Sequence, residues 1–128
     1  MLLTLLFSLS GAAIGEYSDF GRWSLATDSS GRHLGGLAAK FNADSKSLSI
    51  DFVGVTQKGQ GIGTGLYRQA ISAAGDVHEV VGTAALDNAA AISKGGILAA
   101  PRTKILDKIG EWTHSYDDAT KKMKATRK

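Results

Sequence analysis

The chain has 128 residues, with 15 Lys and Arg against 12 Asp and Glu, a net charge of +3 and 43% hydrophobic residues. That length and composition describe one ordinary globular domain, residues 1–128, and exclude a disordered, collagenous or coiled-coil chain. Cysteine is absent, which removes disulfide frameworks, zinc ribbons and thiol catalysis. The three histidines, His33, His78 and His114, are too scattered to suggest a metal site, so no metal ligand is assigned.

Met1 to Ile14, MLLTLLFSLSGAAI, is apolar and uncharged. It is too short to span a bilayer as a helix. Three readings stay open for it: a folded element over Leu2 to Leu9, a targeting segment cut near Ser10-Gly11-Ala12, or the remnant of a linker from a longer protein. Gly11 to Gly21 reads as a loop. Strands follow at Arg22 to Thr27 and His33 to Phe41, separated by the turn Asp28-Ser29-Ser30-Gly31. After the turn Asn42-Ala43-Asp44-Ser45 comes a strand over Ser47 to Val55. Strict alternation puts Leu48, Ile50 and Phe52 on one face and Ser47, Ser49, Asp51 and Val53 on the other.

The pattern then changes. Thr56 to Gly65 is a glycine-rich loop, and Thr64 to Ala74 carries Leu66, Tyr67, Ala70, Ile71 and Ala74 on one helical stripe, with Gly75 as the stop. Val77 to Thr83 reads as a strand and Ala84 to Lys94 as a helix broken by Gly95-Gly96. Arg102 to Ile109 forms another helix after Pro101. Trp112 to Tyr116 and Lys121 to Thr126 read as final strands around an Asp117–Thr120 turn. Residues 121–128 form a basic tail, either a solvated terminus or an attraction for nucleic acid. Trp23, Tyr67 and Trp112 are read as core residues, and His33 and His78 as solvated or structural.

A strand, then Lys58-Gly59-Gln60-Gly61-Ile62-Gly63, then a helix, is the chemistry-bearing motif. Glycines let backbone N–H groups converge, and the helix start adds unpaired N–H groups and a positive dipole end, together suiting a phosphate. The P-loop pattern is absent, and a Rossmann glycine spacing is off by one position. Binding of some other nucleotide phosphate stays open as a weaker reading.

These residues resemble the signature [QR]-x-x-G-x-[GA] of the GNAT superfamily of N-acetyltransferases, with Lys58 in place of Gln or Arg. Leu34 to Leu37 and Ile50 to Val55 are similar to that family's third and fourth strands, and Gly63 to Tyr67 to the start of its following helix. Asn88 and Ala91 are similar to a family N-x-x-A, and Lys104 to Trp112 to a family helix end, with Gly95 to Thr103 as an insertion. The resemblance implies an α+β fold: a mixed, largely antiparallel sheet with flanking helices and a pyrophosphate loop after the fourth strand.

It also implies an acetyl-coenzyme A-dependent N-acetyltransferase working by direct attack of an amine. Val53 and Val55 would contact the pantetheine and acetyl group, Lys58, Gln60, Gly61, Gly63 and Thr64 the pyrophosphate, and Asn88 the thiol end. The tyrosine that family members place near the position of Lys94 or Gly95 is missing, and the region before the third strand is short. For the base, Asp51 is the first candidate, unless it pairs with a neighbouring strand. Tyr116 and His114 are candidates at the sulfur end, unless they are merely edge-strand residues. A noncatalytic coenzyme A-binding module and a toxin-type effector acetylating aminoacyl-tRNA are the alternatives. The expected partners are an amine acceptor, tRNA under the toxin reading, and a second copy if a homodimer completes the site. The expected place of action is the cytoplasm, with export as part of a longer toxin or through the N-terminal segment kept open.

Overall fold

The computed structural model describes residues 4–5, 14–20, 23–56 and 61–128. The elements run β1 (Thr4–Leu5), β2 (Ile14–Phe20), β3 (Trp23–Asp28), β4 (His33–Asn42), β5 (Ser47–Val55), α1 (Ile62–Ala74), β6 (Glu79–Thr83), α2 (Leu86–Gly95), a 3-10 turn (Ile97–Ala99), α3 (Pro101–Ile109), β7 (Trp112–Asp117) and β8 (Lys122–Arg127). Among the described residues the sheet has eight strands in the order β1-β2-β3-β4-β5-β6-β8-β7. Every neighbouring pair is antiparallel except β5 and β6. That one parallel pair follows from the crossover through α1, which a short hairpin cannot replace.

Local chemistry sets the turns. Asp28 Oδ1 accepts hydrogen bonds from Ser30 N, Ser30 Oγ and Arg32 N at 2.9, 2.7 and 2.9 Å, and Gly31 takes φ +84°. Asn42 Oδ1 does the same for Asp44 N and Ser45 N. These side chains satisfy turn N–H groups that the strands leave unpaired. The segment Gly11 to Gly21, expected as a loop, contains β2, which pairs with β3 from Ile14↔Asp28 to Phe20↔Trp23. Its glycines and polar residues hid a strand whose position is set by β3. Of the N-terminal run, Thr4 and Leu5 pair with Ser18 and Tyr17; its other residues up to Ala13 lie outside the described residues.

One core lies under α1 and α3. Leu37, Leu48, Ile50 and Val80 of the sheet meet Leu66, Tyr67 and Ala70 of α1, Leu106 of α3 and Trp112 of β7. Each aliphatic side chain buried there contributes about 1.5–3 kcal/mol relative to exposure. Arg127 stacks on the Trp112 ring, 4.5 Å from its centroid, and its Nε donates to Val77 O at 2.8 Å. Trp112 is thus the core anchor expected of it.

The alternation predicted for β5 breaks. Ala38 pairs with Phe52 but Ala39 pairs with Ile50, leaving Asp51 as an extra residue. Such a bulge reverses the faces beyond it. Leu48 and Ile50 are buried before it, and Val53 and Val55 pack on the same core after it. Phe52 is 55% exposed, with its ring tip 2.9 Å from where a Cβ on Gly54 would stand. The expected grouping of Phe52 with Leu48 and Ile50 is therefore corrected, and Val53 joins the core side.

Candidate active site

The bulge sits where two strands part. The β5–β6 ladder runs from Ser47↔Glu79 to Ile50↔Gly82. Beyond it β5 stays with β4, through Leu37↔Val53, Gly36↔Gly54 and Gly35↔Val55, and Thr56 N then donates to Leu34 O at 2.8 Å. β6 instead stays with β8, through Thr83↔Lys122 and the bond from Ala84 N to Lys121 O at 2.8 Å. A gap thus opens between the backbone of Val53–Val55 and the chain leaving β6.

The helix α1 begins over the far end of this gap. Gly61 is its N-cap with φ 76° and ψ 5°, a left-handed conformation that favours glycine. Its carbonyl accepts from Gly65 N at 3.1 Å. The helix start has no side-chain cap and its first turn holds no acidic residue. The first N–H groups of a helix lack intrahelical acceptors and carry its positive dipole end, so an anion is favoured there. Ile62 holds this start down on the sheet: a Cβ on Gly35 would lie 3.3 Å from Ile62 Cγ2 and 3.1 Å from Val55 Cγ1. Gly63 lets α3 come close, with Ile105 Cδ1 3.3 Å from where its Cβ would be. Thr64 is half-buried one residue further on. Lys58 and Gln60, expected beside Gly61, lie outside the described residues.

The other expected residues separate into groups. Asp51 is exposed at the bulge, directly after the last β5–β6 pair. Val53 and Val55 point their side chains into the core, so what they offer the gap is backbone. Asn88 is 6% exposed, and its Oδ1 accepts from Arg102 N at 3.0 Å, capping α3 from α2. That bond gives Asn88 Oδ1 a structural partner on α3.

His114 and Tyr116 stand on β7, which β8 and β6 separate from β5. Three strand spacings put them about 14 Å from β5. His114 Nε2 meets Asp107 Oδ1 of α3 at 2.7 Å, with its side chain 5% exposed. The structure therefore ties His114 to α3 and does not bring the pair on β7 together with Asp51. His78 is exposed and pairs with Asp76 at 3.0 Å, as a solvated residue.

Sequence reasoning missed Arg102. It is 6% exposed, and its Nε and Nη1 have no hydrogen-bond partner. A Cβ on Gly82, the last β6 residue of the ladder, would lie 2.6 Å from Nη1 and 3.1 Å from Ile50 O. The guanidinium thus lies against Gly82, at the apex of the gap. Tyr67 Oη is buried nearby, also without a partner. Burial pushes the Tyr67 phenol up, and the Arg102 charge draws it partly back. Nothing in the spacing of the helix after Pro101 marks Arg102; only packing buries it.

No protein-family model and no curated protein sequence matches the chain. Among solved structures it is similar to nourseothricin acetyltransferase, at TM-score 0.52 and 13% identity over 86% of this chain and 68% of that one. It is also similar to N-acetylglutamate synthase from Neisseria gonorrhoeae, solved with coenzyme A and N-acetylglutamate, at TM-score 0.48 and 19% identity over 83% of this chain and 25% of that one. A spermidine N-acetyltransferase chimera from Vibrio cholerae is similar at TM-score 0.49 and 13% identity, over 83% and 68%. At these identities the likeness is one of fold: the chain shares with nourseothricin acetyltransferase the mixed α+β fold that the family resemblance led one to expect. No helix among the described residues is long and apolar enough to cross a membrane.

Proposed function

We propose that this chain is an N-acetyltransferase that binds acetyl-coenzyme A in the gap between β5 and β6 and passes the acetyl group to an amine. One observation carries the reading: β5 and β6 part directly after Ile50↔Gly82, and the open gap leads to a helix start capped by left-handed Gly61. A strand gap accepts an extended amide-bearing arm, and a bare helix start accepts its phosphates. The fold shared with nourseothricin acetyltransferase is consistent with it.

Each residue then has a role in the proposal. The backbone N–H groups at Gly61, Gly63 and Thr64 hold the pyrophosphate, with Lys58 and Gln60 flanking it. The backbone of Val53–Val55 binds the pantetheine and polarises the acyl carbonyl, as preorganised dipoles do where negative charge develops. Asp51, exposed at the apex, receives the amine proton directly or through a water. Acetyl-coenzyme A supplies the activated acyl group.

Calorimetric titration with acetyl-coenzyme A tests this, with NAD and ATP as controls. Binding of acetyl-coenzyme A alone supports the proposal, and Gly61→Asp, which sets a carboxylate against the phosphates, removes it. Binding that survives Gly61→Asp refutes the assignment of the helix start. Release of free thiol on adding polyamines or aminoacyl-tRNA establishes transfer; binding without release leaves a noncatalytic module.

A further inference from the structure

We propose that Arg102 and Tyr67 form a carboxylate-binding site at the apex of the gap, so that the preferred substrate brings a carboxylate to the seam between α1 and α3. The inference rests on the acyl-transfer reading for the identity of that substrate, but the site itself stands on geometry alone.

The seam has a clear order. Gly63 of α1 faces Ile105 of α3, and one helical turn further along α1 Tyr67 meets Arg102, one turn back along α3. Tyr67 and Arg102 therefore lie about 6 Å deeper along α1 than its glycine-lined start. From there the Arg102 guanidinium reaches Gly82 and Ile50, where the strands part. Along β5 five residues, about 16 Å, separate Val55 at the helix start from Ile50 at the apex, so an extended arm with its phosphates at Gly61 brings its reacting end beside the Arg102 guanidinium.

Both side chains are more than nine-tenths buried, and Arg102 Nε, Arg102 Nη1 and Tyr67 Oη have no hydrogen-bond partner of full geometry. Three kinds of donor converge: Nε–H and Nη1–H of Arg102 and the O–H of Tyr67. Among the described residues no carboxylate pairs with Arg102; Asp107, on the same helix, is engaged by His114. A buried charge without a counter-ion is strongly unfavourable, whereas a charge-assisted contact to a carboxylate reverses that cost. A carboxylate matches both the charge and the donors. An acetyl group satisfies neither the guanidinium charge nor its number of donors.

The carboxylate can come from the acyl chain of the donor or from the amine acceptor. The full chain is titrated with coenzyme A, acetyl-, malonyl- and succinyl-coenzyme A, and then assayed with phenethylamine against phenylalanine. The expected result is a preference of about tenfold or more for the carboxylated member of one of these sets. Arg102→Met collapses that preference. Tyr67→Phe lowers it severalfold while keeping the ring packing, and serves where Arg102→Met fails to fold. Should coenzyme A bind while neither set shows a preference, or should the preference survive Arg102→Met, the proposal is overturned. Should coenzyme A itself not bind, the acyl-transfer reading falls separately. The site is then decided by thermal melts with malonate and succinate: a rise in Tm lost on Arg102→Met upholds it, and no rise overturns it.

Discussion

Gly35→Ala places one methyl group at the point where β4, β5 and α1 converge. Its Cβ would lie 2.7 Å from the Gly54 carbonyl oxygen, 3.1 Å from Val55 Cγ1 and 3.3 Å from Ile62 Cγ2. Ordinary contact begins near 3.4 Å, so the carbonyl has to retreat by about 0.7 Å, against close packing that yields little. A side chain swings aside at small cost, but this first obstacle is backbone within a paired strand. Overpacking of this kind costs about 1–3 kcal/mol. With a urea slope of about 1–3 kcal/mol/M, a 2 kcal/mol loss lowers the unfolding midpoint by roughly 1 M. The same shift moves Gly54, Val55 and the start of α1, so under the proposed function acetyl-coenzyme A affinity falls with stability. Adding Ile62→Ala tests the cause: because the worst contact is with backbone, it does not restore the midpoint. A Gly35→Ala midpoint within about 0.2 M of wild type, or full rescue by Ile62→Ala, would refute the reasoning.

Three further outcomes are expected. Asn88→Ala removes the cap on α3 and costs about 1 kcal/mol in urea unfolding; an unchanged midpoint means the Asn88–Arg102 bond is idle. The raised Tyr67 phenol favours the folded state below its ordinary value of 10.0, and that contribution is lost as pH rises through the folded value. Tyr67→Phe therefore flattens the alkaline limb of stability against pH, and an identical limb in both proteins counts against the buried phenol. Asp28 is held below its ordinary 3.8, chiefly by the Ser30 hydroxyl and then by the Arg32 N–H. Its contribution is present above 3.8 and is lost as pH falls through the folded value, so Asp28→Asn should soften the acid limb; a limb as steep as wild type would show that the turn is not pH-sensitive.

Much of the architecture is legible along the chain because its signals are local. Asp28, Gly31 and Asn42 announce turns through their own side chains and φ, and Leu66, Tyr67 and Ala70 announce a helix by spacing. The strand from Ser47 to Val55 was bounded correctly, yet the side-chain faces beyond Asp51 were not. A bulge depends on how β5 registers against β4, and no spacing within β5 records it. The segment β2 was missed for the same reason: its identity lies in the ladder with β3.

The candidate site divides along that line. Gly61 and Gly63 could be picked from sequence because a glycine-rich stretch opening a helix has a local meaning. Asn88 was picked as well, but its bond to Arg102 N comes from α2 lying against α3. Arg102 went unnoticed, since a cation after Pro101 is indistinguishable from a solvated one until β6 presents Gly82 beneath it. Neighbours in the chain are enough to set the strand–glycine–helix order, because turns and helix starts are governed locally. Where β5 leaves β6, which way Val53 faces and why Arg102 is buried are settled only by the tertiary structure. Those depend on residues tens of positions apart being brought together, and packing, not propensity, brings them.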